Sequence, residues 1–399
     1  MSTAVPVAAA PEAGAYSRMS FSGDAGAFFG LLVRGSLLQI PTFGFYRFWL
    51  ITQLRRHLWA NTRIGEEAFE YTGTAKEILI GFLTALAVLV PLALVYAIVS
   101  VAAANLVALA SVLSFLLIYA FGYYAVFKSR RYRAARTSFR GIRFWMDGSG
   151  WAYAGRAFLW DLLTVVTIGL AAPWRSASLE RYMMRHTYFG NLQGSFVGTG
   201  SRLFRRTFWF WGGPILLVVA LVISSIVGDS GISLWHWLIV PAGLGLPVIT
   251  LLYLAVQARW RLEGVRFGEV AVYSTLSQGV FLGAYFRLLL SSFGWSIGFG
   301  MISALYAFAF AEQLEVLENH GLADPLTIGV AVVGVFGYLV FLLGLGVLKR
   351  YFVDRGLWAS MARSVSVANL AVLDGVVAAG QRSDGFGEGL ADALDVGAL

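Results

Sequence analysis

Long apolar runs, broken by short basic segments, set the pattern of this chain. A helix crossing a bilayer needs about 20 apolar residues, and six stretches meet that length: 78–100, 103–127, 208–227, 234–256, 280–310 and 326–348. They form three pairs joined by the links 101–102, 228–233 and 311–325. None of these links contains Lys or Arg, so all 30 basic residues lie elsewhere. Basic loops stay on the cytoplasmic side, which puts the links outside and both termini inside. The expected fold is an all-α, polytopic transmembrane helical bundle with six clear spans.

Two further apolar stretches, 27–50 and 157–172, begin after cytoplasmic sequence and are followed by basic segments. If either crossed fully, basic segments would fall on opposite sides. Each is interrupted, at Pro41-Thr42-Phe43-Gly44 and from Gly169 to Pro173. They are expected to be re-entrant or interfacial helices, with the broken backbone covered by protein or a water cavity.

These stretches repeat one another. Thr42, Gly44, Trp49, Arg56, Thr62 and Gly65 recur at an offset of 125 as Thr167, Gly169, Trp174, Arg181, Thr187 and Gly190. A partial copy brings back Arg56, Thr62, Phe69 and Gly73 as Arg131, Thr137, Phe144 and Gly148, and fainter traces follow at Arg259-Trp260 and Arg350-Tyr351. The Gly and Thr after each arginine suit a turn or short strand, and Phe-x-x-x-Gly suits a small β-hairpin strand. Arg55, Arg130, Arg131, Tyr132, Tyr182, Arg259, Trp260, Arg350 and Tyr351 sit at span ends. There guanidinium groups reach phosphates while aromatic rings settle at headgroup level. The expected partner is therefore the bilayer, through its anionic phospholipids.

The element Thr-x-Gly-x-x-x-x-Trp, then Arg-His or Arg-Tyr, then Thr, Gly and Phe-x-x-x-Gly, resembles the YjgN-like family of bacterial inner-membrane proteins, a domain of unknown function. The resemblance runs from about Phe21 to the segment beginning at Gly387 and is densest in the first 200 residues. It implies a multi-pass inner-membrane protein and carries no catalytic residue with it.

Composition agrees with a membrane location: 58% of the 399 residues are hydrophobic and 13% charged, against about 25% charged in soluble domains. The absence of cysteine excludes disulfides, Cys-ligated metal and thiol chemistry. The histidines, His57, His186, His236 and His320, show no zinc spacing. There is no nucleophile elbow and no phosphate loop with its lysine. No cofactor, metal or enzymatic activity is expected. The net charge of +8 is assigned to lipid rather than nucleic acid, because the arginines are spread along span ends. Gly279-x-x-x-Gly283 and Gly294-x-x-x-Gly298 fit close helix packing and leave a homo-oligomer open.

Charges at membrane depth are costly unless paired. Arg34 and Asp161, in the two repeated dipping segments, are expected either to pair across the pseudosymmetric interface or to reach separately for the cytoplasmic surface. Three regions result: a disordered tail over 1–20, a helical membrane domain over 21–356 and a cytoplasmic tail over 357–399. In the last, 364–379 is expected to form an amphipathic helix, followed by an acidic end. The functions in view are a transporter- or channel-like protein for a small solute, and a structural or lipid-associated envelope protein using its basic face.

Overall fold

The computed structural model describes residues 16–102, 106–212, 233–322 and 324–380. Ten short strands form its centre: β1 Tyr16–Phe21, β2 Thr62–Ile64, β3 Glu67–Tyr71, β4 Thr137–Phe139, β5 Ile142–Met146, β6 Thr187–Phe189, β7 Leu192–Phe196, β8 Val265–Phe267, β9 Val270–Ser274 and β10 Val365–Ala368. They close into one antiparallel barrel in the order β1-β10-β9-β8-β7-β6-β5-β4-β3-β2. Four hairpins supply eight of the strands. The fifth pair joins the two ends of the chain, Tyr16 opposite Ala368 and Arg18 opposite Ser366.

Two-residue turns make the hairpins, and their chemistry is local. Gly65, Gly190 and Gly268 hold φ between 52° and 62°, while Arg140 and Gly141 hold 52° and 74°. Positive φ at such turns matches the twist of paired strands.

At the other rim β1, β3, β5 and β7 each pass into a helix through a small polar residue. Asp24, Thr74, Ser149 and Thr199 accept hydrogen bonds from the amides of Ala27, Glu77, Ala152 and Arg202, which satisfies donors that a helix start leaves open.

Helical hairpins therefore rise from one rim only. They are α1 Ala25–Leu37 with α2 Arg47–Ala60, α3 Ala75–Ala102 with α4 Val107–Ala135, and α5 Gly150–Val166 with α6 Ala172–Arg185. Next come α7, described over 200–212, and α8 Ser233–Gly264. The last comprises α9 Gly279–Ala309, α10 Ala311–His320 and α11 Pro325–Lys349, continued by a π-helical turn Arg350–Arg355 into α12 Gly356–Ser364. Neighbouring hairpins touch, α2 on α3, α4 on α5, α8 on α9 and α1 on α11. The links at 101–102 and 311–325 thus lie at hairpin tips, away from the barrel.

The all-α expectation is overturned by the barrel. Three-residue strands such as Thr62–Ile64 are too short to declare themselves by alternation, and a lone hairpin is marginal in water. They persist because closure pairs every edge. The count of spans also changes. Among the described residues four helices, not six, are long and apolar enough to cross a membrane: α3, α4, α9 and the continuous run Pro325–Ser364. The stretch expected at 208–227 falls largely outside the described residues, and that at 234–256 lies within α8.

Two boundaries move as well. Tyr16 to Ser20, expected in a disordered tail, belong to the barrel strand Tyr16–Phe21. The segment 364–379, expected as an amphipathic helix, instead contains β10 and a 3-10 turn, Leu370–Gly375. It alternates because it is a strand. The acidic end beyond Gly380 lies outside the described residues.

Candidate functional site: the barrel cavity

Register sets one level of ten inward positions. The pairs Met19–Ile64, Phe69–Phe139, Phe144–Phe189, Gly194–Phe267 and Val272–Val367 lie directly opposite across neighbouring strands. Nine of these residues line a single cavity of about 670 Å³. The tenth, Gly194, has no side chain to offer, and a Cβ there would stand 2.9 Å from the carbonyls of Met184 and Thr187. A ten-stranded barrel is wider than the eight-stranded kind that side chains just fill, so even five phenylalanines leave the axis open. Their rings meet each other, Phe69 with Phe139 at 4.9 Å and Phe144 with Phe189 at 4.8 Å.

One level up, at the helix rim, Thr62, Thr137, Thr187, Val265 and Val365 begin β2, β4, β6, β8 and β10 and also line the cavity. The threonine hydroxyls are satisfied within the wall. Each donates to the carbonyl four residues earlier, Leu58, Arg133 and Met183, at 2.7–2.8 Å. Thr137 and Thr62 also accept from the indoles of Trp59 and Trp358, at 3.0 and 2.9 Å. These two indoles stack at 4.5 Å.

Charge enters only here. Arg130 and Arg133 of α4 line the mouth. Arg130 bonds Glu180 at 2.8 Å, and Arg261 approaches the same carboxylate at 3.5 Å. Burial pushes the Glu180 carboxyl up, but Arg130 and Arg261 outweigh it and hold the group below the usual carboxylate range.

The opposite end is covered. Leu370 and Leu373 of the 3-10 turn line the cavity floor, and the segment is tied to three hairpin tips. Arg140 pairs with Asp374 at 2.6 Å, Asn369 donates to the Glu269 carbonyl at 3.1 Å, and Asn191 exchanges hydrogen bonds with the backbone of Val377.

A family profile described as bacterial protein of unknown function (DUF898) matches residues 16–393. The chain belongs to that family. DUF898 and the YjgN-like family are one and the same, so the resemblance in the motifs is borne out. The match begins at Tyr16, the first residue of β1, and takes in all ten strands. No curated protein gives a significant match. No solved structure does either.

The residues singled out from the sequence fall into three places. Thr42 and Thr167 sit at the tips of the two short hairpins, where they do the same work. Each hydroxyl donates to a carbonyl four residues back, Leu38 and Leu163, and accepts the amide four residues on, Tyr46 and Ala171. Gly44 and Gly169 follow with φ of 84° and 88°, each amide bonding a carbonyl five residues back at 2.7 Å. Trp49 and Trp174 are each 36% exposed.

The cassette arginines brace the rim. Arg56 and Arg181 reach the carbonyls of Gly73 and Gly198, and Arg355 reaches that of Gly23. Fifteen positions before β10, Arg350-Tyr351 stands too early to match Arg56, six before β2; it lies in the π turn, where Tyr351 meets Phe29 edge-on. Arg55, Tyr132, Tyr182 and Trp260 are buried, so their expected place among lipid headgroups is corrected. Arg55 bonds the Tyr71 hydroxyl, Tyr132 donates to Glu77 and Tyr182 to the Ser149 carbonyl. Arg131 is half-buried, and Arg259 is exposed beside Glu263.

Arg34 and Asp161 are not brought together. Arg34 is exposed on α1. Asp161 instead pairs with Arg175 and accepts the hydroxyls of Tyr119 and Tyr123 from α4. The spacing of Tyr119 and Tyr123, one helical turn apart beside a lone acid, was the available signal. The cavity itself was missed, although Ile64, Phe139, Phe189 and Phe267 all stand two residues beyond Thr62, Thr137, Thr187 and Val265. Among the described residues no group of three or more His, Asp or Glu side chains gathers as a metal site would require.

Proposed function

We propose that this chain is a lipid-handling protein of the bacterial inner membrane, with its barrel as a receptacle for hydrocarbon on the cytoplasmic face. The observation that carries this reading is the amphipathic profile of the 670 Å³ cavity. Its wall is apolar from the mouth to the floor, and its polar groups are confined to the rim from which the membrane helices rise. Pockets of 300–1,000 Å³ lined in this way bind ligands of comparable size.

The helices favour access from the bilayer. In their most apolar windows only 17%, 0%, 0% and 6% of residues are buried, so they do not pack into the dry core of a helical bundle. Most basic residues lie on the barrel or on helix segments next to it, and Arg34, Arg47 and Arg175 stand near the tips of the two short hairpins. The long-hairpin tips at 101–102 and 311–325 have none, which supports a cytoplasmic barrel and cytoplasmic termini. Hairpins α1–α2 and α5–α6 rise about 20–25 Å at 1.5 Å per residue before turning back. That is less than the roughly 30 Å of hydrocarbon, in line with a dipping role. We read the five helix-and-strand units as one repeated element, with its β-hairpin split between the chain ends in the fifth.

A pathway for a hydrated solute is supported less well. Such a path needs polar lining, and the threonine hydroxyls at the mouth are already spent on the wall. The reading is therefore a binding function rather than catalysis. The test is photocrosslinking in native membranes with a lipid carrying a diazirine near the chain end. Adducts on peptides spanning 265–274 and 365–373 are expected; adducts confined to the long helices would overturn the proposal.

A further inference from the structure

The two ends of the cavity differ in a way that specifies the ligand. We infer that the barrel binds a single-chain amphiphile with an anionic head, a carboxylate or phosphate, held at the rim by Arg130 and Arg133 with its chain directed toward Leu370 and Leu373. This rests on the receptacle reading above.

Three observations carry it. The first is charge. Among the described residues the cavity lining holds two arginines, Arg130 and Arg133, and no carboxylate; Glu180, which bonds Arg130 at 2.8 Å and lies 3.5 Å from Arg261, is not part of it. Two guanidinium groups thus line the mouth, and such groups suit carboxylates and phosphates. The second is the source of binding energy. Moving a chain from bilayer hydrocarbon into protein hydrocarbon changes its surroundings little, so retention against the membrane depends on the head, and the rim is where charge is available. The third is shape. Phenylalanine rings occupy the arc from β3 to β8 except at Gly194 on β7, whereas Met19, Ile64, Val272 and Val367 on β1, β2, β9 and β10 form an aliphatic arc. A column beside that arc, floored by Leu370 and Leu373, takes one chain in one orientation, head at the rim.

The test uses the full chain in phosphatidylcholine nanodiscs, with empty discs subtracted, and measures saturable binding of tritiated dodecanoate and tritiated dodecanol. Dodecyl phosphate and dodecyltrimethylammonium serve as competitors. Dodecanoate and dodecyl phosphate are expected to bind at least tenfold more tightly than dodecanol, with the cationic chain weakest. Arg133→Gln is expected to erase the preference and Arg133→Lys to keep most of it, while Val272→Trp abolishes binding of every probe. Ranking carboxylate against phosphate identifies the head. Equal binding of dodecanol and dodecanoate, or an unchanged preference in Arg133→Gln, would overturn the anionic head and leave the receptacle standing. Binding of no probe above empty discs, or full binding in Val272→Trp, would overturn the receptacle itself.

Discussion

Arg140, at the tip of the β4–β5 turn, holds Asp374 at 2.6 Å across most of the length of the chain, and also pairs with Glu67 on β3. It does so from a left-handed backbone with φ of 52°, a conformation that costs a non-glycine residue energy. The pair clasps the 3-10 turn over the cavity floor.

Asp374 is 69% exposed on its side chain, so this ion pair is worth less than about 1 kcal/mol. Asp374→Ala should leave global unfolding unchanged within error. Amide exchange over 369–377 should quicken by up to about fivefold, as read by hydrogen–deuterium exchange mass spectrometry. Equal protection in the variant would mean that Asn191 and Asn369 hold the segment without the clasp.

Gly44→Ala and Gly169→Ala place a Cβ on matching positive-φ residues and should differ in outcome. At Gly44 nothing lies within 4 Å of the new atom, so only backbone strain of about 1 kcal/mol is expected. At Gly169 the Cβ would stand 2.8 Å from the Trp211 ring, and the loss should be larger. Thermal unfolding in a mild detergent ranks the two, and the reverse order would reject this account.

Asp161→Ala strips a carboxylate from Arg175 and an acceptor from Tyr119 and Tyr123. The side chains are about one-quarter exposed, so the expected cost is about 2 kcal/mol, below the 3–5 kcal/mol of a fully buried pair. A double-mutant cycle with Arg175→Ala should show coupling. Strict additivity would mean that the two groups are solvated separately.

Acid should weaken the fold in two steps. Burial, followed by the charge of Arg355, holds His57 below its ordinary value of 6.5. As pH falls through 6.5 the unfolded chain takes up that proton first, and stability declines. Glu180 is held below 4.5 despite its burial, by Arg130 and Arg261. Its contribution is complete above that value and disappears as pH falls through its lower folded value. His57→Gln should flatten the first limb and Glu180→Gln the second in denaturation midpoints followed from pH 8 to pH 3. If neither limb changes, other groups govern the acid response.

What could be read from the sequence was local chemistry. The Thr-x-Gly tips announced themselves because their hydroxyl and backbone duties are settled within about five residues. The links at 101–102 and 311–325, which lack Lys and Arg, located two hairpin tips for the same reason. The barrel was hidden because its pairings are remote: Tyr16 finds Ala368, and Phe144 finds Phe189 across a whole helical hairpin. Arg175 escaped notice since the Thr167-x-Gly169 turn marks where the chain folds back but not which side chains of α5 and α6 then face each other.

The pairing of Tyr16–Phe21 with Val365–Ala368 has a consequence for biogenesis. A ribosome delivers β1 first and β10 last, so every membrane hairpin is made before the ring can be sealed. Until then β1 and β9 are open edges, the kind that recruit foreign strands. A chain arrested before Val365 would carry inserted helices above a gaping sheet, a lesion that a membrane protease could detect. Closure of the ring thus doubles as a certificate that translation reached the far side of the fold.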